Sequence, residues 1–147
     1  MTESEFASYR EMAVRDYAQE NIRAGNGNPA DAPAMAEKAV STLLPEGVRT
    51  KDQFLFTLLD ESLPATVGMV WFKSLPNAAA HIYDIRIEES RRHRGYGLQT
   101  LQAVEAKARG MGLKKIGLAV FGHNQAARAL YEKAGYAVIQ MGLAKAL

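Results

Sequence analysis

The sequence has no cysteine and no long apolar run. The absence of cysteine excludes disulfide bonds, zinc–thiolate sites and cysteine nucleophiles. No apolar stretch approaches the roughly 20 residues that a helix needs to cross a bilayer. The N-terminal stretch MTESEFASYREM is polar and acidic, unlike a signal peptide. We therefore expect a cytoplasmic protein that has no membrane partner.

A large excess of one charge is missing as well. The 147 residues carry 18 Lys and Arg against 16 Asp and Glu, for a formal net charge of +2. This balance creates no global field toward nucleic acid or anionic lipid, so basic residues matter only where they cluster. A nucleic-acid binder built on such a cluster would lose affinity steeply with salt, and we expect no nucleic-acid partner. The remaining composition, 48% hydrophobic and 23% charged, is typical of one globular domain.

The hydrophobic pattern predicts two helices at the start of the chain. Residues 3–22 place apolar side chains near helical spacing, and the stretch AGNGNP ends this helix. A second helix follows, with Asp31 as its candidate N-cap, an apolar stripe from Ala32 to Leu44, and Pro45 as its stop.

From residue 53 onward the pattern changes to strands. The segments QFLFTLL, TVGMVWFK and HIYDIRI are separated by short turns, which favours antiparallel pairing. The order α-α-β-β-β-α-β-α-β is completed by a helix over about 98–108 with Gly110 as C-cap, the strand KKIGLAVF, a helix over 125–133 and a final strand YAVIQMGLAKAL. The unit from Ile82 to Phe121 implies a right-handed parallel crossover. We therefore predict an α+β fold with a mixed sheet, in a single domain over residues 1–147.

The stretch RRHRGYG, from Arg91 to Gly97, lies between a predicted strand and a predicted helix. Helix N-termini present unpaired N–H groups and a partial positive charge, and glycines let a ligand approach the backbone closely. The stretch can therefore form a cradle for phosphate or pyrophosphate. It lacks the lysine of a P-loop, and Thr100 occupies the third small position of a dinucleotide-binding fingerprint. On these residues alone, the alternative is a solvated basic turn.

Two motifs, in this order, resemble those of the GNAT superfamily of acyl-CoA-dependent N-acyltransferases. The segment from Arg92 to Gly97 resembles the family's [R/Q]-x-x-G-x-[G/A] pattern, and it follows a strand and opens a helix as that pattern does. The second pattern, N-x-x-A-x-x-x-Y-x-x-x-G-[F/Y], begins 27 positions after Gly97 and is matched by Asn124, Ala127, Tyr131, Gly135 and Tyr136. The resemblance covers roughly residues 53–147, and the first 50 residues match weakly.

This resemblance implies a fold, a co-substrate and a set of binding residues. The third and fourth strands would splay apart, and the wedge between them would hold the pantetheine arm of acetyl-CoA, with no metal involved. Backbone groups on the third strand and backbone amides in the arginine-rich loop would make the contacts. The residues implied in acetyl-CoA binding are Ile85, Arg86, Ile87, Arg92, His93, Arg94, Gly95, Tyr96, Gly97, Asn124 and Ala127. Residues 53–147 would form the sheet and acetyl-CoA-binding core, and residues 1–50 the acceptor side.

The implied reaction is direct transfer of an acetyl group from acetyl-CoA to a primary amine within a ternary complex. Tyr131 would protonate the leaving thiolate, since a phenol with a pKa of about 10 can protonate the thiolate of a thiol with a pKa of about 8.5. The alternative for Tyr131 is a core tyrosine on an amphipathic helix. A backbone N–H near Ile85 would stabilise the developing oxyanion.

The general base is open among the third-strand residues His81, Tyr83 and Asp84. Asp84 is the carboxylate nearest the wedge and our candidate for this catalytic role, with an ion pair to Arg86 as the alternative. In a regular strand its side chain points opposite to that of Tyr83, and a bulge would change that. Some family members carry a glutamate on the fourth strand, where this chain has Ala119. A further histidine, in the loop before Asn124, is interpreted as a loop residue.

The first helices and the acceptor remain the least specified part. The family usually begins with a strand before its first helix, whereas this chain enters a helix almost directly. Carboxylates on the first two helices would suit a cationic amine, but a solvated helical face is the preferred interpretation. The acceptor is therefore an unidentified small-molecule or peptide amine. The alternative function is a non-catalytic CoA-binding sensor or partner-binding module, and an edge strand near the C terminus could support a homodimer.

Overall fold

The computed structural model describes residues 1–145, in which four helices flank one four-stranded sheet. The helices are α1 (Glu3–Arg23), α2 (Ala32–Leu43), α3 (Tyr96–Gly110) and α4 (Gln125–Lys133), and the strands are β1 (Gln53–Asp60), β2 (Ala65–Leu75), β3 (Ala79–Ile87) and β4 (Lys115–Leu118). The strand order is β1-β2-β3-β4, with the first two pairs antiparallel and the last pair parallel. The predicted α+β fold with a mixed sheet is confirmed.

Each face of the sheet packs against its own pair of helices. On one face, α1 and α2 bury Tyr9 and Val40 against Leu55 and Trp71. On the other face, α3 contributes Leu101 and Val104 to a core with Val70, Phe72 and Ile82, while α4 supplies partly buried side chains. The alternation of side chains along β2 therefore feeds two separate cores.

Local capping explains the start of α1 and both ends of α4. Thr2 and Glu5 form a capping box at the start of α1, and the Asn124 side chain accepts a hydrogen bond from the Ala127 amide at the start of α4. Gly135 closes α4 with a φ of 87°. Among the helices of residues 1–145, none combines the length and apolar character that a membrane span requires.

One predicted cap is confirmed in position and one was wrong. Asp31 occupies the N-cap position of α2, as predicted, although its backbone is helical and its side chain makes no capping hydrogen bond. Helix α3 continues through Gly110 and ends at Met111, and the left-handed residue that follows it is Gly112, with a φ of 76°. Gly110 adopts helical dihedrals, so it does not end the helix. The left-handed turn after α3 uses Gly112, two positions later.

The predicted final strand is also wrong for residues 136–145, which form no strand in the structure. The aliphatic side chains of this segment are exposed, from 74% at Val138 to 91% at Leu143. A β-rich sequence becomes a strand only where a neighbouring strand and a half-buried face are available, and this segment has neither. The last two residues of the predicted strand, 146 and 147, lie outside the described residues. Likewise, the predicted strand KKIGLAVF is shorter in the structure, because β4 leaves β3 after Leu118.

Candidate active site

The candidate site lies where β3 and β4 separate. The parallel pairing of the two strands runs from Ala79↔Lys115 to Ile82↔Leu118 and then stops. Strand β3 continues to Ile87, and over this stretch it is still paired with β2 on its other edge. The β4-facing edge of β3 is therefore open beyond Ile82, as the resemblance implied, and its backbone groups are available to a ligand.

The direction of individual backbone groups selects which residues face this open edge. The Glu88 amide donates to the Val67 carbonyl at 2.9 Å, and a Cβ placed on Gly68 would come within 2.1 Å of the Arg86 carbonyl oxygen. The backbone of Arg86 therefore faces β2. Because successive residues of a strand alternate, the backbone groups of Ile85 and Ile87 face the open edge. Of the three strand residues predicted to bind by backbone contacts, Ile85 and Ile87 face the open edge, although the Ile87 carbonyl accepts a hydrogen bond from Arg92. Arg86 is already engaged with β2.

A β-bulge in β3 determines where Asp84 points. Trp71 pairs with Asp84 and Phe72 pairs with Ile82, so Tyr83 has no partner on β2. Tyr83 stacks on Trp71 with ring centroids 4.6 Å apart, on the face that α1 covers. Without the bulge, Asp84 would share the face of Ile82 and enter the apolar core under α3. The bulge instead turns the Asp84 carboxylate toward α1.

On that face Asp84 joins a polar network with α1. Its Oδ2 atom accepts a hydrogen bond from the Tyr9 hydroxyl at 3.3 Å and lies 3.5 Å from Nη2 of Arg86. The Arg86 guanidinium also donates to Asp16, which is bound by Arg15 as well. Burial raises the pKa of Asp84 above its usual range, although Arg86 and Tyr9 oppose this shift. Asp84 is thus ion-paired with Arg86, as in the alternative interpretation, and its side chain is partly buried, with 24% exposed. Its role as the base stays a prediction.

Tyr131 lies on α4, on the α3 side of the sheet. Its side chain is partly buried against the core under α3, and its ring centroid lies 5.9 Å from that of Tyr136. Burial raises the pKa of Tyr131, and the negative charge of Asp84 raises it further, so the two groups lie within electrostatic reach. Tyr131 is consequently protonated at neutral pH, which is the form that a proton donor needs.

The arginine-rich loop forms the second part of the site. It runs from a short 3-10 turn, Glu89–Arg91, to the first residue of α3, and its backbone is left-handed at His93 (φ 60°) and at Gly95 (φ 86°). No side chain caps α3, and within residues 1–145 the amides of residues 93–98 donate no hydrogen bond. A row of free amides at a helix N-terminus favours the anion cradle over the basic turn.

The side chains of this loop contribute less than its backbone. Arg92 donates to the Ile87 carbonyl at 3.2 Å, whereas Arg94 is exposed, and the Tyr96 hydroxyl donates to Asp60 and anchors the start of α3 to the end of β1. Gly97 has a packing role, because a Cβ there would lie 2.9 Å from Cδ2 of Leu130 in α4. The absence of a side chain at Gly97 therefore brings α3 and α4 together, next to the Asn124 cap.

The two histidines considered as bases lie elsewhere. His81 precedes the bulge on the part of β3 that still pairs with β4, and burial lowers its pKa. His123 is hydrogen-bonded to Glu20 of α1 and stacks on Phe121, which agrees with its interpretation as a loop residue. The carboxylates of α1 and α2 are largely engaged with basic groups of the chain, so the preferred interpretation of them as a helical surface holds; the pairs are Glu3 with Arg49, Asp16 with Arg15 and Arg86, Glu20 with His123, and Glu37 with Arg10.

Sequence reasoning missed two residues of the network. Tyr9 and Asp16 lie 75 and 70 positions before their partners Asp84 and Arg86. Their spacing of seven residues places them on one face of α1, but the same spacing fits any buried helical stripe. Only the tertiary contact identifies them as neighbours of Asp84.

Comparisons with known proteins agree with this geometry. The sequence pattern described as the Acetyltransferase (GNAT) family matches residues 15–136 of the chain. The Bacillus subtilis (strain 168) protein named "Uncharacterized N-acetyltransferase YycN" is 37% identical, covering 100% of this chain and 96% of that protein. "Uncharacterized N-acetyltransferase YdgE" from the same organism is 30% identical, covering 100% and 95% respectively.

Solved structures share the fold. The crystal structure of YycN from Bacillus subtilis matches with a TM-score of 0.94 at 36% identity and covers 100% of this chain and 95% of that chain. A provisionally named streptothricin acetyltransferase from Bacillus anthracis, solved in complex with acetyl coenzyme A, matches with a TM-score of 0.52 at 24% identity. That match covers 58% of this chain and 49% of the other, and it supports a shared fold alone.

Proposed function

The chain belongs to the Acetyltransferase (GNAT) family, and we propose that it transfers an acetyl group from acetyl-CoA to a primary amine of a small-molecule or peptide acceptor. The observation that carries this proposal is the opening between β3 and β4. In this proposal Asp84, held on the α1 side of β3, and Tyr131, on α4, act on a thioester bound at the open backbone edge of Ile85. A base, an acid and an oxyanion donor are the groups that acyl transfer from a thioester to an amine requires.

The binding groups also fit acetyl-CoA. The free amides at residues 93–98 suit a pyrophosphate, and the exposed arginine side chains around them add positive charge. The open edge of β3 suits the amide-bearing pantetheine arm, which would pair with Ile85 and Ile87 as an added strand does. The acetyl-CoA complex of the Bacillus anthracis protein shows that this fold accommodates that molecule.

In the proposed step, the acceptor nitrogen attacks the thioester carbonyl carbon, so that a C–N bond forms and the C–S bond breaks. Asp84 takes the proton that the amine loses, and Tyr131 gives its phenolic proton to the departing thiolate. The Ile85 N–H stabilises the oxyanion between these two events. Exchange with solvent then restores both side chains. A carboxylate with a raised pKa is a stronger base, and so burial favours Asp84 in this role.

The most direct test follows free thiol during incubation of the protein with acetyl-CoA and a panel of primary amines. The panel spans peptide N-termini, lysine side chains, polyamines, aminoglycosides and small metabolites. We expect amine-dependent thiol release with at least one class, at a rate proportional to protein concentration. Tight binding of acetyl-CoA without release for any class would instead support a CoA-binding sensor, the alternative function.

A further inference from the structure

We propose that Tyr9 and Arg86 are positioning residues, which hold Oδ2 of Asp84 so that its Oδ1 atom accepts the proton of the acceptor amine. This inference rests on the proposed function, because it assigns the residues that orient the base of that reaction. It also gives helix α1 a part in the chemistry, although α1 carries neither of the two family motifs.

The contacts of Asp84 are divided unequally between its two oxygens. The Tyr9 hydroxyl and Nη2 of Arg86 both contact Oδ2, at 3.3 and 3.5 Å. Within residues 1–145, Oδ1 accepts no hydrogen bond, and it is not among the polar atoms that are sealed from solvent without a partner. Two donors on one oxygen fix the orientation of the carboxylate and leave the other oxygen to the substrate.

The Arg86 guanidinium is itself held in place from α1. Asp16 binds Nη1, and Arg15 binds Asp16 from the same helix. The Nε atom of Arg86 is buried and has no acceptor within residues 1–145. An unsatisfied buried donor is destabilising, so stability alone does not favour this arrangement. Networks of ionisable groups that reduce stability in this way are found preferentially at functional sites.

Tyr9 allows its two roles to be separated by mutation. Its ring is packed in the core of α1, α2 and the sheet, with 4% of the residue exposed, while its hydroxyl reaches Asp84. Replacement by phenylalanine keeps the ring and removes only the hydrogen bond. Because that bond stabilises the charged carboxylate, its loss raises the pKa of Asp84.

The charged and titratable groups around Asp84 come from three elements. Helix α1 supplies Tyr9 and Asp16, strand β3 supplies Arg86, and α4 supplies Tyr131. Arg86 and Tyr9 favour the ionised carboxylate, whereas Asp16 opposes it. Removal of the arginine charge therefore shifts Asp84 in the same direction as removal of the tyrosine hydroxyl, and by more.

The experiment measures kcat/KM against pH for the wild type, Tyr9→Phe and Arg86→Met. Activity needs ionised Asp84 and is lost as the pH falls through its pKa. For Tyr9→Phe we expect this acid limb to move to higher pH by about 0.4–1 unit, the equivalent of one hydrogen bond. We expect a larger upward shift for Arg86→Met. Tyr17→Phe, on the exposed part of the same helix, is the matched control and should leave the limb in place.

Carboxyl NMR of Asp84 gives a second readout that does not require turnover. The pKa of this carboxyl should rise in Tyr9→Phe and rise further in Arg86→Met. A reduced kcat with neither the limb nor the NMR pKa moved would make Tyr9 a packing residue and overturn the inference. A protein that acetylates no amine but whose Asp84 pKa shifts by NMR would refute the proposed function. The contacts of Tyr9 and Arg86 to Asp84 would then stand, but Oδ1 would have no proton-transfer role.

Discussion

The arginine-rich loop and the Asp84 network are built in opposite ways. The loop is a run of consecutive residues that presents backbone amides, and its left-handed turns at His93 and Gly95 are local features. The network joins α1 to β3 through side-chain contacts between partners 70 and 75 positions apart. Under the proposed function, the comparison separates two roles: the loop and the open strand edge would bind acetyl-CoA, and the network with Tyr131 would perform proton transfer.

Among these substitutions, Tyr131→Phe should have the largest effect, and it should act on turnover alone. The substitution removes the proton for the thiolate and keeps the ring in its core position. We expect kcat to fall by about 10²–10⁴-fold, the usual contribution of a general acid. Acetyl-CoA affinity, measured by calorimetry, should change little. Unchanged turnover would remove Tyr131 from the mechanism and leave it a core tyrosine.

Gly95→Val should damage the binding half. The residue has a φ of 86°, a conformation that a β-branched side chain strongly disfavours, so the cradle amides would be displaced. We expect acetyl-CoA to bind at least about tenfold more weakly, which corresponds to 1.4 kcal/mol. Arg91→Ala, at the edge of the loop, is the control and should change the affinity by less than about twofold, a surface-charge effect. Equal losses in both variants would mean that charge, and not backbone geometry, binds the anion.

Gly97→Val should lower the stability of the fold more than it lowers acetyl-CoA affinity or turnover. Its Cβ would lie 2.9 Å from Cδ2 of Leu130, so that side chain or the two helices must shift. Overpacking of this kind costs typically about 1–3 kcal/mol, which thermal unfolding would report as a lower Tm. Gly110→Ala is the matched control, because a Cβ there meets nothing within 4 Å, and its Tm should not fall. Adding Leu130→Ala to Gly97→Val should recover part of the loss if the contact is the cause.

The difference between local features and long-range contacts also determines how much the sequence could predict. Helix caps, turns and the two motifs depend on neighbouring residues, so the bounds of α1 and α4 and the position of the cradle were predicted. The final strand failed because its stability depends on a partner that residues 136–145 do not meet. The family's motifs pointed to the splayed strands, but they carried no information about which carboxylate contacts which helix.

Asp84 shows why the base could not be decided from sequence. Its direction depends on the bulge at Tyr83, and the one-residue insertion that makes a bulge has no local signature in HIYDIRI. Its environment depends on Tyr9 and Asp16, which the chain brings together only when α1 packs on the sheet. The structure confirms the ion pair of Asp84 with Arg86, and the role of Asp84 as the base stays a prediction.

The central claim, that binding and proton transfer reside in separate parts of the molecule, is tested most directly by Asp84→Asn. The substitution keeps the size of the side chain and removes the base. In one experiment, acetyl-CoA affinity is measured by calorimetry and turnover by thiol release with an accepted amine at neutral pH. The account predicts unchanged affinity with turnover reduced about 10²–10⁴-fold. Turnover equal to that of the wild type, or a loss that follows weakened acetyl-CoA binding, would contradict it.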